Sequence, residues 1–113
     1  MAECLFCRII AGDIPAEKVY EDEEIFAFRD IAPKAPLHVL VVPKKHIAGL
    51  EELEEGDAPL MGRIQLALRD IARDQGVADS GYRVILNCGR DAGQVVFHIH
   101  YHLLGGGQGL NLD

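Results

Sequence analysis

From Phe97 to Leu104 the chain alternates strictly, with His98, His100 and His102 on one set of positions and Ile99, Tyr101 and Leu103 on the other. Period-two alternation of this length, rich in β-branched and aromatic residues, predicts a strand. On a strand, residues i, i+2 and i+4 share a face. Three of the five histidines therefore project together, and the apolar side packs into a core. A single histidine is most simply a surface or satisfied core residue. Three on one face of an apolar strand supply a nucleophile, proton donors and acceptors that titrate near neutral pH.

The elements around this strand restrict the fold further. Glu3 to Ala11 predicts a short amphipathic helix, ended by Gly12-Asp13 and barred from continuing by Pro15. Lys18 to Glu21 and Glu24 to Arg29 predict two strands split by an Asp22-Glu23 turn, and Leu37 to Val42 a buried strand closed by Pro43. Lys44 and Lys45 read as solvated charges on the loop that follows, and Leu50 to Glu55 as a short surface helix. Asp57 is a good N-cap for a long helix in which Leu60, Met61, Ile64, Ala67, Leu68, Ile71 and Ala72 recur at helical spacing before the Gly76 stop. Tyr82 to Leu86 predicts a strand, joined by a polar glycine-containing loop to the histidine strand. The tail from Gly105 reads as irregular. Helix, strands, long helix and two closely joined strands argue for a single antiparallel α+β domain over residues 1–113.

Charge and cysteine content exclude some functions. Eleven basic against eighteen acidic residues leave a net charge of −7, which argues against a general nucleic-acid surface. An acidic protein still binds one phosphate locally through backbone N–H groups and histidine. Neither a signal peptide nor a bilayer-spanning apolar run is visible, so no membrane association is expected. The odd set Cys4, Cys7 and Cys88 fits reduced thiols in the cytoplasm. The pair Cys4-x-x-Cys7 leaves half a zinc site, a redox pair or neither open, and the lack of a second such pair excludes a self-contained zinc ribbon.

Two chemistries suit the histidine row. As metal ligands, His98 and His102 would sit about 13 Å apart at Cα on a strand, so one ion takes two neighbours but hardly all three. As a nucleophile, His100 would attack phosphorus, with a neighbouring imidazole serving the leaving group and Asn87 and the Gly93-Gln94 backbone nearby. The second fits better. Asp30, at the end of its strand, is either a turn residue or a carboxylate able to accept a ribose diol.

At this point the residues resemble a known family. His98-Ile99-His100-Tyr101-His102-Leu103-Leu104 matches the His-φ-His-φ-His-φ-φ motif of the histidine triad proteins, and the flanking pieces resemble their Hint branch. Those pieces include Leu5-Phe6, Ile14-Pro15-Ala16, Phe28-Arg29-Asp30-Ile31, Pro43-Lys44-Lys45-His46, Gly93-Gln94 and Leu104-Gly105-Gly106. The resemblance implies a homodimeric α+β fold and hydrolysis of the P–N bond of purine nucleoside 5′-phosphoramidates without a catalytic metal.

It implies that His100 is the nucleophile, His102 serves phosphate and leaving amine, and His98 and His38 support them. Asn87, Gly93 and Gln94 would hold the phosphate region, and Asp30 the ribose. Ile31, Leu5, Phe6, Ile9, Ile14 and Phe28 would line the base pocket. Val95 stands where many relatives carry serine, which leaves only its backbone N–H for the phosphate region. Cys4, Cys7, His46 and His98 resemble the structural zinc set of part of the family. Two other functions fit the same resemblance: a dinucleoside polyphosphate hydrolase, or a nucleotide-binding scaffold with incidental hydrolysis.

Overall fold

The computed structural model describes residues 4–107. Five strands form one antiparallel sheet in the order β1-β2-β3-β5-β4: β1 is Lys18–Glu21, β2 Ile25–Arg29, β3 Leu37–Pro43, β4 Tyr82–Leu86 and β5 Tyr101–Gly105. Helix α1 (Leu5–Ile10) covers one face and helix α2 (Ala58–Asp74) the other. The expected α+β architecture is therefore observed. Alternation along the strands sorts the core. Ile25, Ala27, Leu37, Val39, Val41, Ile99, Tyr101 and Leu103 pack with α2, whereas Phe26, Phe28, Leu40 and Val42 pack with Phe6 and Ile9 of α1. Because both faces of β2 and β3 are covered, their sequences read as continuous apolar runs rather than alternating ones.

The histidine strand is shorter than its alternation predicts. Only Tyr101–Gly105 is laddered, so His98 and His100 lie in the approach to β5. Register supplies the reason: Val41 opposes Tyr101, and extending that pairing would set Ile99 against Pro43, which has no N–H to donate. Ile99 N–H instead donates to Ile47 C=O at 2.6 Å. The shared face survives without the ladder, since Ile99, Tyr101 and Leu103 all enter the α2-side core.

Several local expectations are corrected. The first helix begins at Leu5 with Cys4 as its N-cap, and Glu3 lies outside the described residues. Leu50 to Glu55 forms two 3-10 turns, Leu50–Glu52 and Glu55–Asp57, rather than one helix. Asp57 occupies the N-cap position of α2, yet its carboxylate makes no capping bond there. It accepts from Glu54 N–H at 2.9 Å and from Lys45 Nζ at 2.6 Å. Lys44 pairs with Glu21 at 2.7 Å, so neither lysine is merely solvated. The tail expected to be irregular lies outside the described residues from position 108 onward, and Gly105 belongs to β5.

Candidate active site

On the α1 face a cavity of about 420 Å³ opens beside β5. Leu5, Phe6 and Ile9 of α1, Ile14, Phe28 of β2 and Leu40 of β3 make an apolar wall. Asp30 and Ile31 stand at one edge, Asn87, Gly93 and Val95 at another, and His100 and His102 face the interior. Twelve residues expected in a nucleotide site thus come together from five separate parts of the chain. Ile31 and Val95 sit at the mouth, 99% and 88% exposed. His38, His98 and Gln94 do not line the cavity; they lie behind it, buried.

Hydrogen bonds assign a distinct role to each imidazole. His100 Nδ1 is 2.8 Å from the His98 carbonyl. A carbonyl only accepts, so Nδ1 carries the proton and Nε2 keeps its lone pair for the cavity. Lys34 N–H donates to His38 Nδ1 at 3.1 Å, which places the His38 proton on Nε2. That proton is donated to His102 Nδ1, 2.9 Å away. The proton of neutral His102 is therefore on Nε2. The His100 and His102 rings are neighbours, with centroids 5.1 Å apart. Neighbouring rings accordingly carry a bare Nε2 and an Nε2–H, a pair that can serve as nucleophile and proton donor.

Burial keeps these imidazoles neutral. It lowers the His100 and His38 pKa values, the nearby Asp30 charge opposing the shift in both. His102 is lowered from 6.5 to about 4, by burial first and then by its neighbours His100 and His38. The unfolded chain binds more protons than the folded one between those two values. The contribution of His102 to stability is thus fully present above pH 6.5 and is lost as pH falls toward about 4. Urea titrations are expected to give a lower midpoint near pH 5 than near pH 7, with a smaller drop in His102→Gln. An identical drop in that variant would remove His102 as a source.

Asp30 takes the turn role and also leaves a carboxylate at the cavity. Its Oδ1 accepts from Ala32 N–H at 2.8 Å, closing a turn, while the carboxylate stays one-fifth exposed at the cavity edge. Its Oδ2 lies 3.6 Å from His38 Nε2. Asp30, His38 and His102 also lie close enough together to hold a metal. The His38 and His102 nitrogens, however, point at each other through one shared proton, which is a relay geometry rather than a ligand set.

The glycine loop departs from expectation in one respect. Gln94 turns inward: Oε1 accepts from Gly89 N–H at 2.8 Å and Nε2 donates to the Ala48 carbonyl at 2.7 Å. The Gly93 and Gln94 N–H groups are also spent inside the loop, on the Arg90 and Gly89 carbonyls. The Gln94 side chain therefore shapes the loop from behind the cavity. Among the described residues no acceptor meets the Val95 N–H, which leaves it for an anion.

Behind the cavity lies a second cluster. His98 is fully buried and its Nε2 lies 2.7 Å from the Pro43 carbonyl, so Nε2 carries the proton and Nδ1 is bare. That Nδ1 lies 3.4 Å from Cys4 Sγ, 3.6 Å from Cys7 Sγ and 3.2 Å from His46 Nδ1, and Cys7 Sγ is 3.4 Å from His46 Nδ1. Tetrahedral zinc with bonds of about 2.0–2.3 Å has ligand–ligand edges of about 3.3–3.8 Å. Two thiols and two imidazole nitrogens at these spacings fit such an ion.

Pro15, Ala16, Lys34, Leu40 and Val96 also border the cavity without having been assigned to it from sequence. Leu40 had a readable signal, since it is two residues from His38 on one strand and so shares its face. The Lys34 backbone had none, because its role is to donate to a ring that only the fold brings near.

Comparison with known proteins agrees with this geometry. The family model described as "Scavenger mRNA decapping enzyme C-term binding" matches residues 3–110. Protein HitA of Neisseria gonorrhoeae is 44% identical over 105 residues, covering 93% of this chain and 97% of that one. A HIT family hydrolase from Clostridium thermocellum superposes with a TM-score of 0.94 at 49% identity, covering 96% of this chain and 95% of that one. A histidine triad protein from Clostridium difficile superposes equally well, with a TM-score of 0.94 at 43% identity over 100% and 98% of the two chains. The histidine row, the sheet that carries it and these relatives lead to one conclusion: the chain belongs to the histidine triad (HIT) family.

Proposed function

We propose that the protein is a purine nucleoside phosphoramidase of the Hint type, cleaving the P–N bond of adenylated or guanylated amines. The observation that carries this reading is the pairing of a bare His100 Nε2 with a protonated His102 Nε2 on the cavity surface. The apolar wall suits a purine, the Asp30 carboxylate a ribose diol, and the Val95 N–H a phosphoryl oxygen.

His100 Nε2 attacks phosphorus as the P–N bond breaks, forming a nucleotidyl-histidine. Phosphate charge beside the His38–His102 pair raises its proton affinity, so a proton taken up with the substrate passes from His102 to the departing nitrogen. Water then attacks phosphorus and gives its proton to His102. His100 leaves as a neutral imidazole whose Nδ1–H stays on the His98 carbonyl throughout. No metal takes part in these steps.

The reading extends to the assembly and the second cluster. Val84 on edge strand β4 and Leu66 on α2, both about half-exposed, support a homodimer. Three free thiols support a reducing compartment, the cytoplasm. Cys4, Cys7, His46 and His98 would hold a structural zinc ion, which would tie α1 to the sheet.

Turnover of adenosine 5′-phosphoramidate compared with diadenosine polyphosphates tests the substrate class. The phosphoramidate is expected to have the higher kcat/KM. Faster cleavage of the polyphosphates would make the protein a dinucleoside polyphosphate hydrolase, and tight binding without turnover of either would make it a scaffold. Asp30 is tested separately: Asp30→Asn keeps the turn but weakens acceptance of two ribose hydroxyls, and should cost about tenfold in kcat/KM. With a 2′,3′-dideoxy substrate that penalty should vanish. A penalty that persists assigns Asp30 to His38 instead.

A further inference from the structure

Helix α1 is held to the molecule by side chains. Its six residues are too few to form a stable helix alone, and among the described residues its backbone bonds run within 4–13. Two sets of side chains seat it. Phe6 and Ile9 pack on Phe26, Phe28, Leu40 and Val42, and Cys4 and Cys7 meet His46 and His98. The same helix supplies Leu5, Phe6 and Ile9 to the cavity wall. The Phe6 ring lies edge-on to His100, 5.0 Å between centroids. Whatever loosens the cysteine end therefore moves the nucleotide wall.

We propose that Cys4 and Cys7 form an oxidant-sensitive clasp on the nucleotide cavity, opened when a hydroperoxide joins them as a disulfide. Both thiols are half-buried rather than sealed in, and unpaired. Their sulfurs lie within 4.8 Å of each other, and a disulfide requires about 2.05 Å. Cys4 Sγ sits against His98 Nδ1, and Cys7 Sγ against the Nδ1 of both His98 and His46; a disulfide has no S–H left to donate to either ring.

One thiol gives its proton to the neighbouring imidazole and attacks the peroxide; the O–O bond breaks, and the departing alkoxide takes up that proton as an alcohol, leaving a sulfenic acid. The second thiol, deprotonated in the same way, attacks that sulfur and displaces hydroxide, which takes up the second proton as water. The two sulfurs lose two electrons in total to the O–O bond. The imidazoles of His46 and His98 lose their sulfur partners, and any metal held there loses two of its four ligands. With that end released, α1 keeps only its apolar seat and the wall it presents to a purine loses its fixed position. A dithiol reductant reverses the change.

The inference rests on the reading of the cavity as a nucleotide site, and its test separates the two. The full chain carrying Cys88→Ser, which removes the third thiol away from the cavity, is titrated with AMP by calorimetry in the reduced form. It is then titrated again after hydrogen peroxide treatment and removal of excess oxidant. Intact mass should show the loss of two hydrogens, with peptide mapping placing the link between Cys4 and Cys7. AMP affinity should fall about tenfold or more and return with dithiothreitol, while far-UV circular dichroism keeps the sheet signal.

Unchanged affinity in protein with the mapped disulfide overturns the clasp, as does oxidation that never joins Cys4 to Cys7 or that unfolds the sheet. Reduced protein that binds no AMP overturns the nucleotide reading instead.

Discussion

Alanine at His100 is expected to lower kcat/KM for adenosine 5′-phosphoramidate by about 10⁴-fold or more, the scale of losing a nucleophile from a two-step displacement. The same change should abolish the nucleotidyl adduct that mass spectrometry detects on wild-type protein quenched during turnover. The size follows from the division of roles among the imidazoles. His102 offers a proton and Val95 an amide, and both would still polarise the substrate, but neither would bring a free lone pair to phosphorus. His98 cannot substitute, because its ring is buried outside the cavity with Nε2 on the Pro43 carbonyl. The truncation leaves a gap beside Phe6, so a melting curve must accompany the kinetics. A folded His100→Ala protein with normal turnover would overturn the mechanism.

The sequence made this centre partly legible. Alternation from Phe97 to Leu104 put three imidazoles on one side, and that holds although only Tyr101 to Gly105 is laddered. Local pattern reports side-chain periodicity, whereas ladder bonds depend on the partner, and Pro43 on β3 cannot donate. Separating the three histidines needed more. Their tautomers are set by the carbonyls of Pro43 and His98 and by the Lys34 N–H, backbone groups that carry no residue-type signal.

Gln94 shows the same limit in the other direction. The family resemblance puts Gln94 in the phosphate region, yet only the fold reveals its side-chain amide as already bonded to Gly89 and Ala48. The charged loop residues follow suit. Lys44, Lys45 and Asp57 look solvated or capping in isolation and pair across elements once the sheet and α2 are docked.

Removal of metal is expected to give the largest change in stability. The proposed zinc set predicts close to one zinc per subunit in protein purified without chelators, measured by elemental analysis. Stripping it should lower the melting temperature by about 10 °C or more, roughly 2 kcal/mol or more for a domain of this size. That is a modest share of what structural zinc sites supply to small domains. The reduction is physical: five strands and α2 form a core of their own, so the proposed zinc would add chiefly the seating of α1 and the order of His98.

The double variant Cys4→Ser, Cys7→Ser should show the lower melting temperature from the outset and respond little to a chelator. The same variant isolates what the proposed ion would do for chemistry. His98 presents its carbonyl to His100 Nδ1 and its own Nδ1 to the cysteines, so one residue joins the proposed zinc set to the proposed nucleophile. If zinc serves only to anchor that residue, stripped protein retains the His100 adduct and loses rate and nucleotide affinity together. Zinc near zero in undepleted protein, with a melting temperature indifferent to chelators, would leave Cys4 and Cys7 as thiols alone.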